Sequence, residues 1–149
     1  MSFFNSLDIA ASGLSAERTR MDVTAENLAN AQTTRGANGQ PYRRQEVILQ
    51  QAGSFGSTLA GAMGVSPGAS ASASGGVQVA GIVSDPTPDR LVYDPSSPDA
   101  NKQGYVQMPN VSTVNEMVDL IDESRSYEAD VTAMQTAKTM YTKTLDLLK

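Results

Sequence analysis

The sequence predicts an α+β protein: long N- and C-terminal α-helices packed as a coiled-coil-like pair, with a small antiparallel β domain inserted between them. Three observations predict it. Apolar residues recur every seven positions near both ends of the chain, which is the pattern of a helical seam. Between about Tyr42 and Met108 that period gives way to short apolar runs bounded by Gly, Pro, Asn and Asp, which read as strands and turns. The whole chain is 149 residues, enough for one ordinary domain and barely two. The expected division is an N-terminal helix at 1–34, a middle β domain at 35–109 and a C-terminal helix at 110–149.

The C-terminal stretch is the clearest element. Leu120, Tyr127, Met134, Tyr141 and Leu148 hold one seven-residue line without a gap. Met117, Val131 and Leu145 hold the adjacent line, with Ser124 and Lys138 between them, and Val114, Val118 and Ile121 widen the stripe. No Pro or Gly follows Pro109. Thr113 and Glu116 have the spacing of a capping box, with Ser112 as an alternative cap. Acids (Glu116, Asp119, Asp122, Glu123) crowd the first half and lysines (Lys138, Lys143, Lys149) the last turns, as the helix dipole favours. At ~1.5 Å per residue the helix reaches about 50–55 Å, too long for one small domain to cover its stripe.

The N-terminal stretch from Ser2 to Ala31 carries a second seam. Leu7, Leu14, Met21 and Leu28 recur every seven residues, with Phe4, Ala11, Arg18 and Ala25 as the companion line. Gly13 costs the helix ~1 kcal/mol relative to Ala, and its expected use, beside Ala10, Ala11 and Ser12, is close backbone approach. Asn27 and Asn30, followed by Thr33, Thr34 and Gly36, read as the helix end, because Asn tolerates the left-handed conformation that terminates helices. Strands are expected at Tyr42–Gln51, Val77–Ser84, Arg90–Asp94 and Gly104–Met108, forming one small antiparallel sheet. The Gly/Ala/Ser segment at 53–76 buries too little to offset its ordering entropy and is expected to be a flexible loop.

Composition narrows the function. The chain has no His and no Cys, so Ser-His-Asp and Cys-His catalytic sets cannot be built and the commonest transition-metal ligands are missing. No catalytic, cofactor-binding or metal residue is assigned. The net charge of −5 gives no general attraction to nucleic acid or an anionic membrane. No apolar run is long enough for a transmembrane segment, and no basic n-region of a cleaved signal peptide precedes Arg18. Asp85, Asp89, Asp94 and Asp99 punctuate a Pro-rich region without calcium-loop spacing and read as turn formers. Carboxylate neighbours such as Asp122/Glu123 read as solvated helix charges, because adjacent residues do not face each other on a helix. Arg43 and Arg44 read as a solvated strand face. Arg18, Glu128 and Lys138 lie close enough to the seams to set register or partner choice.

Several separated motifs resemble one family. Ser6-Leu-Asp-Ile-Ala-Ala-Ser-Gly-Leu14 with Thr24-Ala-Glu-Asn-Leu-Ala-Asn30 is similar to the N-terminal signature of bacterial flagellar rod and hook proteins. Pro41-Tyr-Arg-Arg-Gln45, Val79-Ala-Gly-Ile-Val-Ser-Asp-Pro86, Arg90-Leu-Val-Tyr-Asp-Pro95, Gly104-Tyr-Val106 and Pro109-Asn-Val111 resemble the proximal-rod branch of that family. So do Glu116-Met-Val-Asp-Leu-Ile121 and Arg125-Ser-Tyr-Glu-Ala129. Gln32 departs from the Asn often found there in the family, and the 53–76 loop is not covered by the resemblance. The resemblance implies a non-enzymatic subunit of the flagellar drive shaft, exported by the flagellar export apparatus without a cleaved signal peptide and located in the basal body across the periplasm. It implies as partners further copies of itself, the rod proteins FlgB, FlgF and FlgG, and the ring adaptor FliE. The expected subunit interface is Leu7, Leu14, Met21, Leu28, Met117, Leu120, Tyr127, Val131, Met134, Tyr141, Leu145 and Leu148, with Asn27 and Asn30 shaping the first helix's exit. A peptidoglycan-acting hydrolase with paired carboxylates and a cytosolic coiled-coil adaptor are the alternatives.

Overall fold

The computed structural model describes residues 3–36, 38–52 and 75–146. Helix α1 spans Phe3–Ala29 and α2 spans Thr113–Asp146. Between them lie strands β1 (Gln45–Gln51), β2 (Val77–Ser84), β3 (Arg90–Tyr93) and β4 (Tyr105–Met108). The chain is thus α+β, with two helices and two small antiparallel sheets. Most of the expected loop, residues 53–74, lies outside the described residues, as does Leu148.

Both helix ends depart from the expected chemistry. No described residue other than glycine has a positive φ, so α1 does not end on a left-handed Asn. It tightens instead, with the Ala31 amide donating to the Leu28 carbonyl at 3.3 Å. The Asn30 side-chain amide donates to the Glu26 carbonyl at 2.9 Å, and Thr33 Oγ1 donates to Asn30 Oδ1 at 3.3 Å. At the start of α2 the Glu116 amide donates to the Ser112 carbonyl at 2.9 Å, which makes Ser112 the cap position. The Glu116 carboxylate turns to other partners, so the Thr113–Glu116 capping box does not form. Late in α2, Thr132, Thr136, Thr139 and Thr144 each donate their hydroxyl to the carbonyl four residues back, so these hydroxyls find partners within the helix.

The expected single four-stranded sheet is two sheets, β1-β2 and β3-β4. The Ala52 amide donates to Gly76 O at 2.9 Å near one end of the first pair, and the Asp85 amide donates to Arg44 O at 2.8 Å near the other, so the strands run antiparallel. The ladder stops there because Pro86 and Pro88 follow, and neither has an N–H to donate. Asp85 Oδ1 accepts the Thr87 amide at 2.8 Å and turns the chain; Asp94 does the same with the Ser96 amide and hydroxyl. These hydrogen bonds hold both carboxyls below their ordinary range. Strands β3 and β4 then pair antiparallel from Arg90↔Met108 to Tyr93↔Tyr105. Their loop closes on Gly104 at φ +82°, where a Cβ would fall 2.8 Å from the Tyr93 ring, itself edge-on to Tyr105.

The contacts group into two compact units, each taking part of both helices. The first holds residues 1–17, 49–80 and 126–149. There the Val77 amide donates to Ser12 Oγ at 3.1 Å, and a Cβ at Gly13 would come 2.9 Å from Asp130 Oδ2. The close neighbour at Gly13 is thus a side-chain carboxylate and not the expected backbone. The second unit holds residues 18–48 and 81–125. Its buried apolar residues are Val23, Ala31, Val106, Pro109 and Val111, joined by the buried polar residues Thr24, Asn27, Glu116 and Glu123.

Candidate functional site

The most organised chemistry is a buried polar junction in the second unit. Asn27, on α1, is 1% exposed and uses its whole amide. Oδ1 accepts from Tyr42 OH at 2.9 Å and from the Gln45 amide at 2.8 Å. Nδ2 donates to the Gln45 carbonyl at 2.8 Å and to Glu116 Oε2 at 3.0 Å. One side chain therefore ties α1 to the start of β1 and to the first turn of α2.

Glu116 is also 1% exposed, and its other oxygen accepts Arg44 Nε at 2.6 Å. Arg44 is fixed in turn by its backbone: its amide donates to Asn110 Oδ1 at 2.9 Å and its carbonyl accepts from Asp85. Its Nη2 reaches Asp119 at 3.4 Å. The bond to Glu116 raises the Arg44 pKa against the opposing effect of burial, so the guanidinium stays charged. One heptad along α2, Glu123 Oε1 accepts Thr24 Oγ1 at 3.1 Å and lies 3.6 Å from Arg20 Nε. Each carboxylate buried on α2 meets a polar side chain of α1, as the cost of burying an unpaired charge requires.

Burial, followed by the charges of Glu26 and Glu116, pushes the Tyr42 hydroxyl up to about 12. The ordinary value is 10.0, so folding favours the protonated form. That contribution is complete below pH ~10 and is lost as pH rises toward about 12. In a spectrophotometric alkaline titration, one tyrosine is expected to ionise later than the rest of the five. Tyr42→Phe removes that late step.

The residues expected at the interface are placed as follows. Leu7, Leu14, Met21 and Leu28 are half-buried on α1, as are Leu120, Tyr127, Val131 and Met134 on α2. Met117, Tyr141 and Leu145 are exposed. The companion positions Ala11, Arg18 and Ala25 are exposed, and α1 instead turns in Ala16, Val23, Thr24 and Asn27. Asn30 and Thr33 shape the helix exit; Asn27 faces inward as the hub. Sequence reasoning missed Glu116, Glu123 and Arg44. A signal for the acids existed: Glu116, Glu123 and Asp130 recur every seven residues, as do Asn27, Arg20 and Gly13. For Arg44 no such signal existed: the inward positions of β1 are 45, 47 and 49, a period that carried back would turn Arg43 inward, and the chain breaks it just before β1 to turn Arg44 inward instead. Among the described residues, no group of three or more His, Cys, Asp or Glu is arranged to hold a metal ion. No described helix is long and apolar enough to cross a membrane.

A family profile for flagella basal body rod proteins matches residues 7–38, and one for the C-terminal part of flagellar basal body rod FlgEFG proteins matches residues 102–147. The flagellar basal-body rod protein FlgC of Bacillus subtilis is 50% identical over 154 residues, covering 100% of both chains. The chain belongs to the FlgC family of flagellar basal-body rod proteins. FlgC of Yersinia enterocolitica is 46% identical over 147 residues, covering 99% of this chain and 98% of the relative. FlgC of Borreliella burgdorferi is 39% identical over 161 residues, covering 100% and 99%. The two matched profiles contain the two carriers of the junction, Asn27 in the first and Glu116 in the second, while Arg44 lies between them.

Proposed function

We propose that this protein is a structural subunit of the flagellar basal-body rod that works by packing its terminal helices against those of neighbouring subunits. The basal-body location and the structural, non-enzymatic role follow from its FlgC relatives. The helical packing rests on one observation: apolar side chains of α2 stand in solvent. Val114 and Met140 are 65% and 66% exposed, and Met117, Val118, Ile121 and Leu145 are each about half exposed. Burying such side chains contributes about 1.5–3 kcal/mol apiece, and contacts that repeat head to tail build a tube or filament instead of closing a dimer.

In this reading the segments 1–34 and 110–149 form an inner α domain, packed in a coiled-coil-like manner, and 35–109 a β domain inserted between them. The subunit sits in the proximal rod, spans the periplasm after export without a cleaved signal peptide, and transmits torque from motor to hook. Its neighbours are further copies of itself, FlgB, FlgF, FlgG and FliE.

The test is complementation of a strain lacking the protein. Leu120→Asp and Met134→Asp, at half-buried seam positions, are expected to be made and exported at normal levels and to lower swimming by more than about tenfold. Normal swimming in both variants overturns the seam.

A further inference from the structure

The apolar lines of both helices repeat every seven residues, so sliding α2 along α1 by one heptad, about 10 Å, replaces one apolar side chain by another. Leu120 takes the place of Tyr127, and Leu14 that of Met21. Apolar matching is nearly blind to such a slip. The polar contacts are not. In the second unit, one step of seven residues back along α1 and seven forward along α2 leads from the Asn27–Glu116 contact to the Arg20–Glu123 contact. In the first unit the next step of the same size reaches Gly13 and Asp130, where a Cβ would fall 2.9 Å from the carboxylate.

A slip in one direction presents Glu123 to Asn27 and carries Glu116 away from it. A slip in the other presents Glu116 to Arg20 and leaves the Asn27 amide with no carboxylate. Either slip separates Glu116, 1% exposed, from Asn27 and from Arg44, whose carbonyl is held by the Asp85 amide at the end of β2. A buried carboxylate that loses both partners, or exchanges them for Arg20 alone, is more costly than an exchange of Leu for Tyr. We propose that the polar contacts of the second unit, and not its apolar lines, select the heptad register in which α1 and α2 pair antiparallel there. They thereby fix which apolar residues of the two helices are offered side by side to a neighbour. That last consequence rests on the rod reading; the register itself does not.

The native sequence has no cysteine, so introduced thiols report without ambiguity. Val23 and Leu120 lie between the two polar contacts of the second unit. The pair Val23→Cys with Leu120→Cys reads the native register. The pairs Val23→Cys with Thr113→Cys and Asn30→Cys with Leu120→Cys read the two slips. The full-length chain is oxidised mildly, with and without Glu116→Leu, and helicity is checked by circular dichroism. With Glu116 present, disulfide is expected in the native pair and not in the slipped pairs. In a helical Glu116→Leu background the ratio of native to slipped disulfide is expected to fall about tenfold or more. An unchanged ratio there overturns the proposal, as do comparable slipped yields with Glu116 present. If Glu116→Leu loses its helicity, the near-isosteric Glu116→Gln with Thr24→Val is read instead. The ratio is then expected to fall about twofold or more, and constancy overturns the proposal.

Discussion

Arg44→Ala is expected to destabilise the chain by about 3 kcal/mol, measured by urea denaturation followed at the helix band. The reason lies in the partner left behind. Glu116 is 1% exposed and keeps only Asn27 when the guanidinium goes. An uncompensated buried carboxylate costs about 3–5 kcal/mol, and the lower end applies because the Arg44 side chain is 27% exposed, so water reaches the vacated position. Two comparisons make the expectation specific. Arg44→Lys keeps the charge and loses the fork that meets Glu116 and Asp119 together, so it is expected to fall between Arg44 and Ala. Arg43→Ala, one residue away and exposed, is expected within about 0.5 kcal/mol of the parent. Equal effects at 43 and 44 would mean that general charge, and not the junction, supports the fold.

Asn27→Ala is expected to cost about 3–4 kcal/mol by the same measurement. It removes four hydrogen bonds at once and leaves the Tyr42 hydroxyl, the Gln45 amide and carbonyl, and one Glu116 oxygen short of a partner. Each stranded buried group costs about 1–3 kcal/mol, and the sum is discounted because the groups share one site. Asn30→Ala gives the contrast. Its bond to the Glu26 carbonyl is exposed, so water replaces it and the expected loss is under about 1 kcal/mol. A loss at Asn30 equal to that at Asn27 would place the hub at the helix exit after all.

These two residues also mark what the amino-acid order discloses. Periodicity and turn chemistry are local, so they placed both helices and all four strands to within three residues of the observed bounds. Strand pairing is not local. Four strands in a row gave no sign that Pro86 and Pro88 end one ladder, nor that β3 takes β4 alone. A heptad of leucines identifies a helix, but the side it turns inward depends on what meets it. Here α1 turns Asn27 and Thr24 inward because Glu116 and Glu123 await them. A charged residue reads as solvated when its partner is distant in sequence, and Arg44 and Glu116 are 72 positions apart. The family was legible for the opposite reason: its motifs are short, contiguous and strung along nearly the whole chain.

The small interior, shared between apolar and polar side chains, has a thermal consequence. Among the described residues, the buried apolar side chains are two alanines in α1 and its exit, three valines and Pro109, while two carboxylates, an amide and a hydroxyl occupy the remaining buried positions. Hydration of apolar surface gives unfolding its large positive heat-capacity change, and exposure of polar surface subtracts from it. Folding of the lone chain therefore carries a low heat-capacity change for its length and a flat dependence of stability on temperature. In the proposed assembly, the strongly temperature-dependent part of the free energy would lie in the joining of subunits, where the apolar stripe of α2 would first leave water.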